Sequence, residues 1–363
     1  MPLLRLTLAV LATFGLVWAL HTSFHIKDAT LPPVGDFMNP FSGFWQNAEP
    51  KTGFLPADAK IPGLKGPVSV SYDDRRVPHI FAQNLEDAAA VQGFIHAQNR
   101  LFQMDLSARR GAGRLSEVFG ERTISADVNA KHIGSLIASQ NMLEAWKQSR
   151  EDWPIVEAYT AGVNAFLATL DEKNLPIEYK LLGFLPEKWT ELKTAICAKN
   201  MAISLSMREE DAEMSNMVAA FGESAARELF PDFDPKQKPI VPDNGQWRGI
   251  KPDLSKRVLS SDQDHDAAGP ESLGSINPSS DLFCEPQESG VGSNNWAFSG
   301  KKTRSGHPIL CNDPHLMLSL PSAWFEGSGK SATTKSKVSV EASSHCSASA
   351  RPSHQGMLIA MPL

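Results

Sequence analysis

Gly292-Ser293-Asn294-Asn295-Trp296, followed downstream by Asn312-Asp313-Pro314-His315-Leu316, is the stretch on which the reading of this chain turns. Glycine tolerates backbone dihedrals that other residues resist. A serine hydroxyl at a Gly-Ser bond can therefore approach the preceding carbonyl and cut the chain by an acyl shift. The cut would free the α-amine of Ser293. Such an amine has a reference pKa of about 7.7–8.0, so at neutral pH it can act as general base for the adjacent hydroxyl. Nucleophile and base then belong to one residue. By themselves the same two residues also read as a plain loop before a strand. Asn295 to Ser299 and His307 to Cys311 read as two strands joined by the turn Gly300 to Gly306.

Upstream, Val68, Val70 and Tyr72 alternate with Ser69 and Ser71, a period-two strand. Asp73-Asp74 turns the chain, and His79 to Ala82 reads as the paired strand. Asn84 reads as a helix N-cap with Asp87 at the third helical position. Val91, Phe94, Ile95, Leu101 and Phe102 then give one apolar helical face. Asp152-Trp153-Pro154 opens another helix, lined on one side by Ile155, Tyr159, Val163, Phe166 and Leu170. More helical text covers 188–230, so residues 68–230 read as a hairpin followed mainly by helices.

The flanks differ in character. Leu6 to Leu20 carries no charge and follows Arg5, the pattern of a signal segment behind a short basic start. It is short for a bilayer span of about twenty residues, though Leu3 and Leu4 extend it. No A-x-A site follows, so a cleaved leader and a membrane tether through residues 3–20 both stand, beside a buried core helix. Export would place the body in the periplasm, or anchored on the outer side of the inner membrane. Residues 231–292 hold Pro, Asp, Ser and Gly with little periodicity, and a stretch this long inside a domain is often functional or removed. Residues 327–363 are serine-rich, lack aromatic residues and have Glu341 as their one acid, a composition unable to build a core. The resulting segments are 1–22 (signal or anchor), 23–66 (irregular connector), 67–230, 231–292, 293–326 and 327–363.

Composition narrows the function classes. The 363 residues allow about two domains or one large one. With 42% hydrophobic and 21% charged residues, wholesale disorder is excluded. The formal net charge of -6 lacks the footprint of a dedicated nucleic-acid binder, so no nucleic-acid partner is expected. The four cysteines form no CxxC pair, which argues against a zinc ribbon. Gly327-Ser328-Gly329-Lys330-Ser331 looks like the end of a phosphate loop, but Trp324 stands where that loop requires glycine. His345-Cys346 lacks partners at metal-ligand spacing, and no G-x-S-x-G elbow exists.

Taken together these segments resemble the penicillin acylase (penicillin amidase) family of N-terminal nucleophile hydrolases, over about 68–326. The resemblance is carried by Val77-Pro78-His79-Ile80, the run Gly93 to Met104 (GFIHAQNRLFQM), Arg109-Arg110, Gly113-Arg114-Leu115-Ser116-Glu117, Tyr159 to Asn164 (YTAGVN), Leu185-Pro186, and above all GSNNW and NDPHL. It implies an α+β fold, an αββα sandwich present here only in part behind a mainly helical small-chain region. It implies a precursor that cuts itself between Gly292 and Ser293, loses a spacer and leaves a small and a large chain as partners. Ser293 is then the nucleophile and His315 orients its amine and hydroxyl. Glu213, in Glu213-Met214-Ser215-Asn216, falls where the small chain supplies a calcium ligand; a carboxylate suits that hard cation, and a solvated helix acid is the plainer reading. Met201, Leu205 and Met207 fall on the helix that lines the acyl pocket, with core packing as the alternative. No organic cofactor is expected.

The substrate implied is a small N-acyl compound with a linear amide: a β-lactam side chain, an acyl-homoserine lactone or similar. Asn99 stands where the family commonly has Asp, and Arg76 where Gly is usual. Family large chains continue far beyond Trp324-Phe325-Glu326. The text from 327 on is therefore expected to be out of frame, and a catalytically inactive remnant is the alternative to a working acylase.

Overall fold

The computed structural model describes residues 2–26, 29–31, 33–48, 59–206, 210–229, 293–315 and 319–331. Helix α1 (Pro2–Leu20) is followed by the short antiparallel strands β1 (Phe24–Ile26) and β2 (Ala29–Leu31) and the single-turn helices α2 (Val34–Met38) and α3 (Trp45–Ala48). The connector read as irregular thus contains brief regular pieces. Strands β3 (Ser69–Tyr72) and β4 (Pro78–Ala82) form the expected hairpin, with Val70 opposite Ile80. Then come α4 (Leu85–Ala112), α5 (Ser116–Phe119), α6 (Ile124–Ile133), α7 (Ser135–Gln148), α8 (Trp153–Leu167), α9 (Ile177–Leu182) and α10 (Glu191–Ser206). Helices α11 (Glu210–Phe221) and α12 (Glu223–Leu229) follow. The last elements are β5 (Ser293–Phe298), β6 (Ile309–Pro314) and β7 (Ser328–Ser331). The fold is α+β. It divides into one unit of Met1–Leu205 with Asp281–Leu363 and another of Ser206–Ser280, which holds α11 and α12.

The N-terminus of α4 forms as its sequence dictates. The Asn84 side chain accepts from the Asp87 backbone N–H at 2.8 Å, a cap that satisfies one of the helix's free donors. The buried Asp87 carboxylate also accepts from the backbone N–H of Lys65 and Gly66 (2.8 and 3.0 Å), tying the segment before β3 to the helix. Helix α4 bends at Arg100, where φ is -140°. The Asn99 side chain there donates to the Ile95 carbonyl, inserting itself into the helical ladder. The helix ends at Gly113 in the left-handed region (φ 65°), with the Arg114 N–H returning to the Arg109 carbonyl.

Helices α4 and α8 cross with their backbones in apposition, at Gly93 and Gly162. Around them Leu101, Met104, Tyr159, Val163, Tyr179 and Trp189 form the main core, with Ile155, Phe166 and Leu170 against it as the sequence face predicted. A second core, Ile80, Val91 and Ile95, lies between α4 and the sheet. The Gly113 to Glu117 motif closes an ionic cluster. Buried Arg109 reaches Asp105 (3.2 Å), Glu117 (2.9 Å) and Glu187 (3.3 Å), and Arg114 forks onto Glu117 and Glu187. Lys193 adds a 3.0 Å contact to Glu187. Charges taken out of water in this way are tolerable because each has a partner.

The segment after β6 returns to the body. Gln103 donates to the Ser322 carbonyl, Arg75 pairs with Glu326 at 3.0 Å, and the Phe325 ring stands 5.0 Å from that of His96. Strand β7 then pairs parallel with β4, giving the sheet order β3-β4-β7. Residues 328–331, within the segment whose composition reads as unable to build a core, thus form a strand on this sheet. Strand pairing rests on backbone hydrogen bonds, which serine, glycine and lysine supply as well as any residue. Helix α1 corrects the core-helix alternative: its side chains from Leu3 to Trp18 are exposed. By length and composition, Leu3–Leu20 suffices to cross a membrane.

Candidate active site

The site expected from the sequence is built on one antiparallel pair. β5 and β6 are registered with Ser293 opposite Pro314, Trp296 opposite Cys311 and Phe298 opposite Ile309. Their connection is a short turn closed by the Thr303 hydroxyl, which donates to the His307 carbonyl at 2.7 Å. Ser293 opens β5 and Pro314 ends β6, so the register itself carries His315 to the serine. The distance in sequence is bridged by pairing alone.

The contact differs in kind from the expected one. The backbone N–H of His315 donates to the Ser293 Oγ at 3.3 Å. The imidazole turns to Asp313 instead, with Nε2 2.8 Å from Oδ2. Residues two apart along extended backbone share a face, so the Asp313 carboxylate lies where it can capture the ring. Both side chains are well exposed, at 45% and 42%, and such a pair contributes only about 0–1 kcal/mol. Its effect is to fix the ring. The donor aimed at the Ser293 Oγ is a main-chain N–H, which holds the hydroxyl in place. Asp313 was not among the expected site residues; the Asp-x-His spacing inside NDPHL was the available signal.

The other expected residues are less closely assembled. Gly292, Met207 and the whole of 231–292 lie outside the described residues. Met201 is half-buried and Leu205 is 46% exposed, both near the C-terminal end of α10. Neither lines the solvent-open cleft between β4, β7 and α4, which is bordered by Ile80, Ile95, His96 and Phe325. Glu213 lies on α11, and its side chain is not among those described. Among the described residues, no three of His, Cys, Asp or Glu come together to hold a metal ion.

The cleft has its own electrostatics. His96 is buried and its Nδ1 is 3.1 Å from the Tyr159 hydroxyl. Burial holds the imidazole pKa down to about 3, so at neutral pH the ring is uncharged. Burial likewise pushes the Tyr159 hydroxyl up, and the Cys197 thiol up to about 12. These groups are core hydrogen-bonding partners rather than proton carriers at physiological pH.

Comparison with known proteins adds family-level context. A family model described as Penicillin amidase matches residues 67–334. The chain is 33% identical over 279 residues to the Penicillin acylase 2 proenzyme of Pseudomonas sp. (strain SE83), covering 75% of this chain and 33% of that protein. It is 26% identical over 278 residues to the Acyl-homoserine lactone acylase QuiP of Pseudomonas aeruginosa, covering 76% of this chain and 30% of that one. The chain thus spans about a third of the length of these relatives. Among solved structures, a thermostable penicillin G acylase from Alcaligenes faecalis aligns with a TM-score of 0.41 at 25% identity, covering 48% of this chain and 97% of that one.

Proposed function

This chain belongs to the penicillin amidase family, and from that premise we propose that it carries the nucleophile strand of an amidohydrolase precursor that acts on the linear amide of small N-acyl compounds. The observation that carries this reading is the hydrogen bond from the His315 backbone to the Ser293 Oγ across the β5–β6 pair.

Maturation comes first. The Ser293 Oγ attacks the Gly292 carbonyl carbon, the peptide C–N bond breaks, and the nitrogen takes up a proton to become the free α-amine of Ser293. Water then hydrolyses the resulting ester, leaving a carboxylate on Gly292 and the hydroxyl on Ser293. In turnover the amine accepts the hydroxyl proton as Oγ attacks the substrate's acyl carbon, and then delivers it to the departing amine. The acyl group on Ser293 is released by water along the same proton path. The N–H of His315 holds Oγ throughout. The relatives named for penicillin and for acyl-homoserine lactones point to β-lactam side chains or acyl-homoserine lactones as the substrate class.

Three further assignments go with this reading. Met201 and Leu205 border the acyl pocket. Glu213 supplies one oxygen ligand to a structural calcium, which takes no part in the steps above. Helix α1 directs export, either as a leader or as a tether, so the body works outside the cytoplasm.

The test is direct. The purified chain is incubated at neutral pH and its fragments are sequenced from their N-termini. A fragment beginning Ser-Asn-Asn-Trp is expected, and none from the Ser293→Ala chain. A wild-type chain that stays uncut after long incubation overturns self-cleavage. Release of free amine from an N-acyl anilide and from an acyl-homoserine lactone, compared with Ser293→Ala, then reads the amidase step.

A further inference from the structure

A second serine has chemical partners of its own. In the parallel pairing of β4 with β7, His79 lies beside Ser328. Partners in register project to the same face of a sheet. The His79 Nδ1 is 2.6 Å from the Ser328 Oγ, a short contact for a hydroxyl and a ring nitrogen. On the other side of the ring, Nε2 faces the Asp73 Oδ2 at 3.7 Å. That is a charge contact rather than a hydrogen bond.

Asp73 is placed there by the β3–β4 turn. Its Oδ1 accepts from the backbone N–H of both Arg75 and Val77 at 2.9 Å, which leaves Oδ2 to face the imidazole. These bonds, that from Val77 foremost, hold the carboxyl below its ordinary pKa, so it is anionic at neutral pH. Arg75 also approaches Oδ2 at 3.8 Å, while its stronger partner is Glu326 at 3.0 Å. His79 and Asp73 are each about one-third exposed, so the group is open to solvent.

We propose that Asp73, His79 and Ser328 form a second acyl-accepting site, distinct from Ser293, that takes activated carboxylic esters from solution. The Ser328 Oγ attacks the ester carbonyl carbon while Nδ1 of His79 takes the hydroxyl proton. The bond from the acyl carbon to the alcohol oxygen breaks, and the alcohol leaves with that proton. Water then attacks the acyl-serine; His79 takes a proton from the water and returns it to Ser328 Oγ, freeing the carboxylic acid. Asp73 stabilises the imidazolium in both halves. The His79 and Asp73 side chains are about one-third exposed, and Ser328 borders the solvent-open cleft between β4, β7 and α4. The site therefore favours esters with good leaving groups over amides.

The experiment uses the full chain carrying Ser293→Ala, which removes the other nucleophile. It is treated with an alkyl fluorophosphonate, and labelled peptides are mapped by mass spectrometry. A phosphonyl group on Ser328 is expected. His79→Gln should slow that labelling at least tenfold. Asp73→Asn, whose amide oxygen still accepts from Arg75 and Val77, should slow it at least threefold with the turn intact. Circular dichroism confirms that each variant is folded. An unlabelled Ser328 in the folded Ser293→Ala chain overturns the proposal. So does labelling of the Asp73→Asn or His79→Gln variant as fast as that of the chain with both native residues. Both results are independent of whether Ser293 cuts the chain.

Discussion

Gly162 lies directly against the carbonyl oxygen of Ala90, and a Cβ at position 162 would overlap that oxygen. Gly93 stands in the same relation to the Tyr159 carbonyl. The two glycines set how closely α4 and α8 approach, and so place the main core. Both fall in segments that carried the family resemblance, GFIHAQNRLFQM and YTAGVN.

Gly162→Ala is therefore expected to destabilise the fold. The obstacle is backbone, which cannot rotate away as a side chain can. The cost should reach at least the ~1–3 kcal/mol of ordinary overpacking. A urea titration followed by circular dichroism measures it. A midpoint equal to that of the wild type would show that the helices separate freely.

The Asn84 cap and the buried Asp87 give a second comparison. Asn84→Ala removes one cap acceptor and should cost about 1 kcal/mol. Asp87→Ala also strands the N–H groups of Lys65 and Gly66, each worth about 1–3 kcal/mol when left unpaired. The second variant should thus be the less stable by a clear margin in the same titration.

Much of this was legible in the sequence because it is local. The β3–β4 alternation, the Asn84 cap and the Trp153-Pro154 helix start each depend on neighbours within a turn or two. The β5–β6 hairpin was legible as two strands about a short turn, whereas the approach of His315 to Ser293 was expected from the family resemblance alone. What could not be read depends on rotamers and on long-range register. The His315 ring turns to Asp313, a choice between two partners that spacing alone leaves open. Strand β7 pairs through backbone groups, so its polar composition gave no signal. The Arg109–Glu187 contact joins residues far apart in sequence, and only the packed helices bring them together.

His96 makes stability depend on pH. Its folded-state pKa is about 3 and its ordinary value 6.5, so the unfolded chain binds a proton that the folded chain refuses. Its contribution is fully present above pH 6.5 and is lost as pH falls toward 3. The slope is about 1.4 kcal/mol per pH unit in that window. Denaturation midpoints at pH 7 and pH 5, above the carboxylate range, should fall more steeply for the wild type than for His96→Gln. Parallel slopes would show that the ring is solvated in the folded state.

Glu187 acts lower on the scale. The Arg114 guanidinium, with Lys193, holds its carboxyl at about 2, against an ordinary 4.5. Its stabilisation is present above pH 4.5 and is lost as pH falls toward 2. At 38% exposure, solvent screening keeps the effect modest. Between pH 5 and pH 3, Glu187→Gln should lose less of its melting temperature than the wild type does, although it starts lower.

The main-chain character of the His315 contact leads to a sharper test at Ser293. With the backbone N–H as donor, the identity of the side chain at 315 matters little to the Ser293 hydroxyl. His315→Gln should keep the donor and cleave between Gly292 and Ser293 at a rate close to that of the wild type. His315→Pro has no N–H to give. It should slow cleavage by roughly 10²-fold, the scale of misplacing an attacking group. The proline falls just after β6 ends, so the paired strands keep their ladder. Fragment yield over time, read on a gel for both variants, separates the two roles. Equal slowing by Gln and Pro would place the imidazole, rather than the backbone, in control of Ser293.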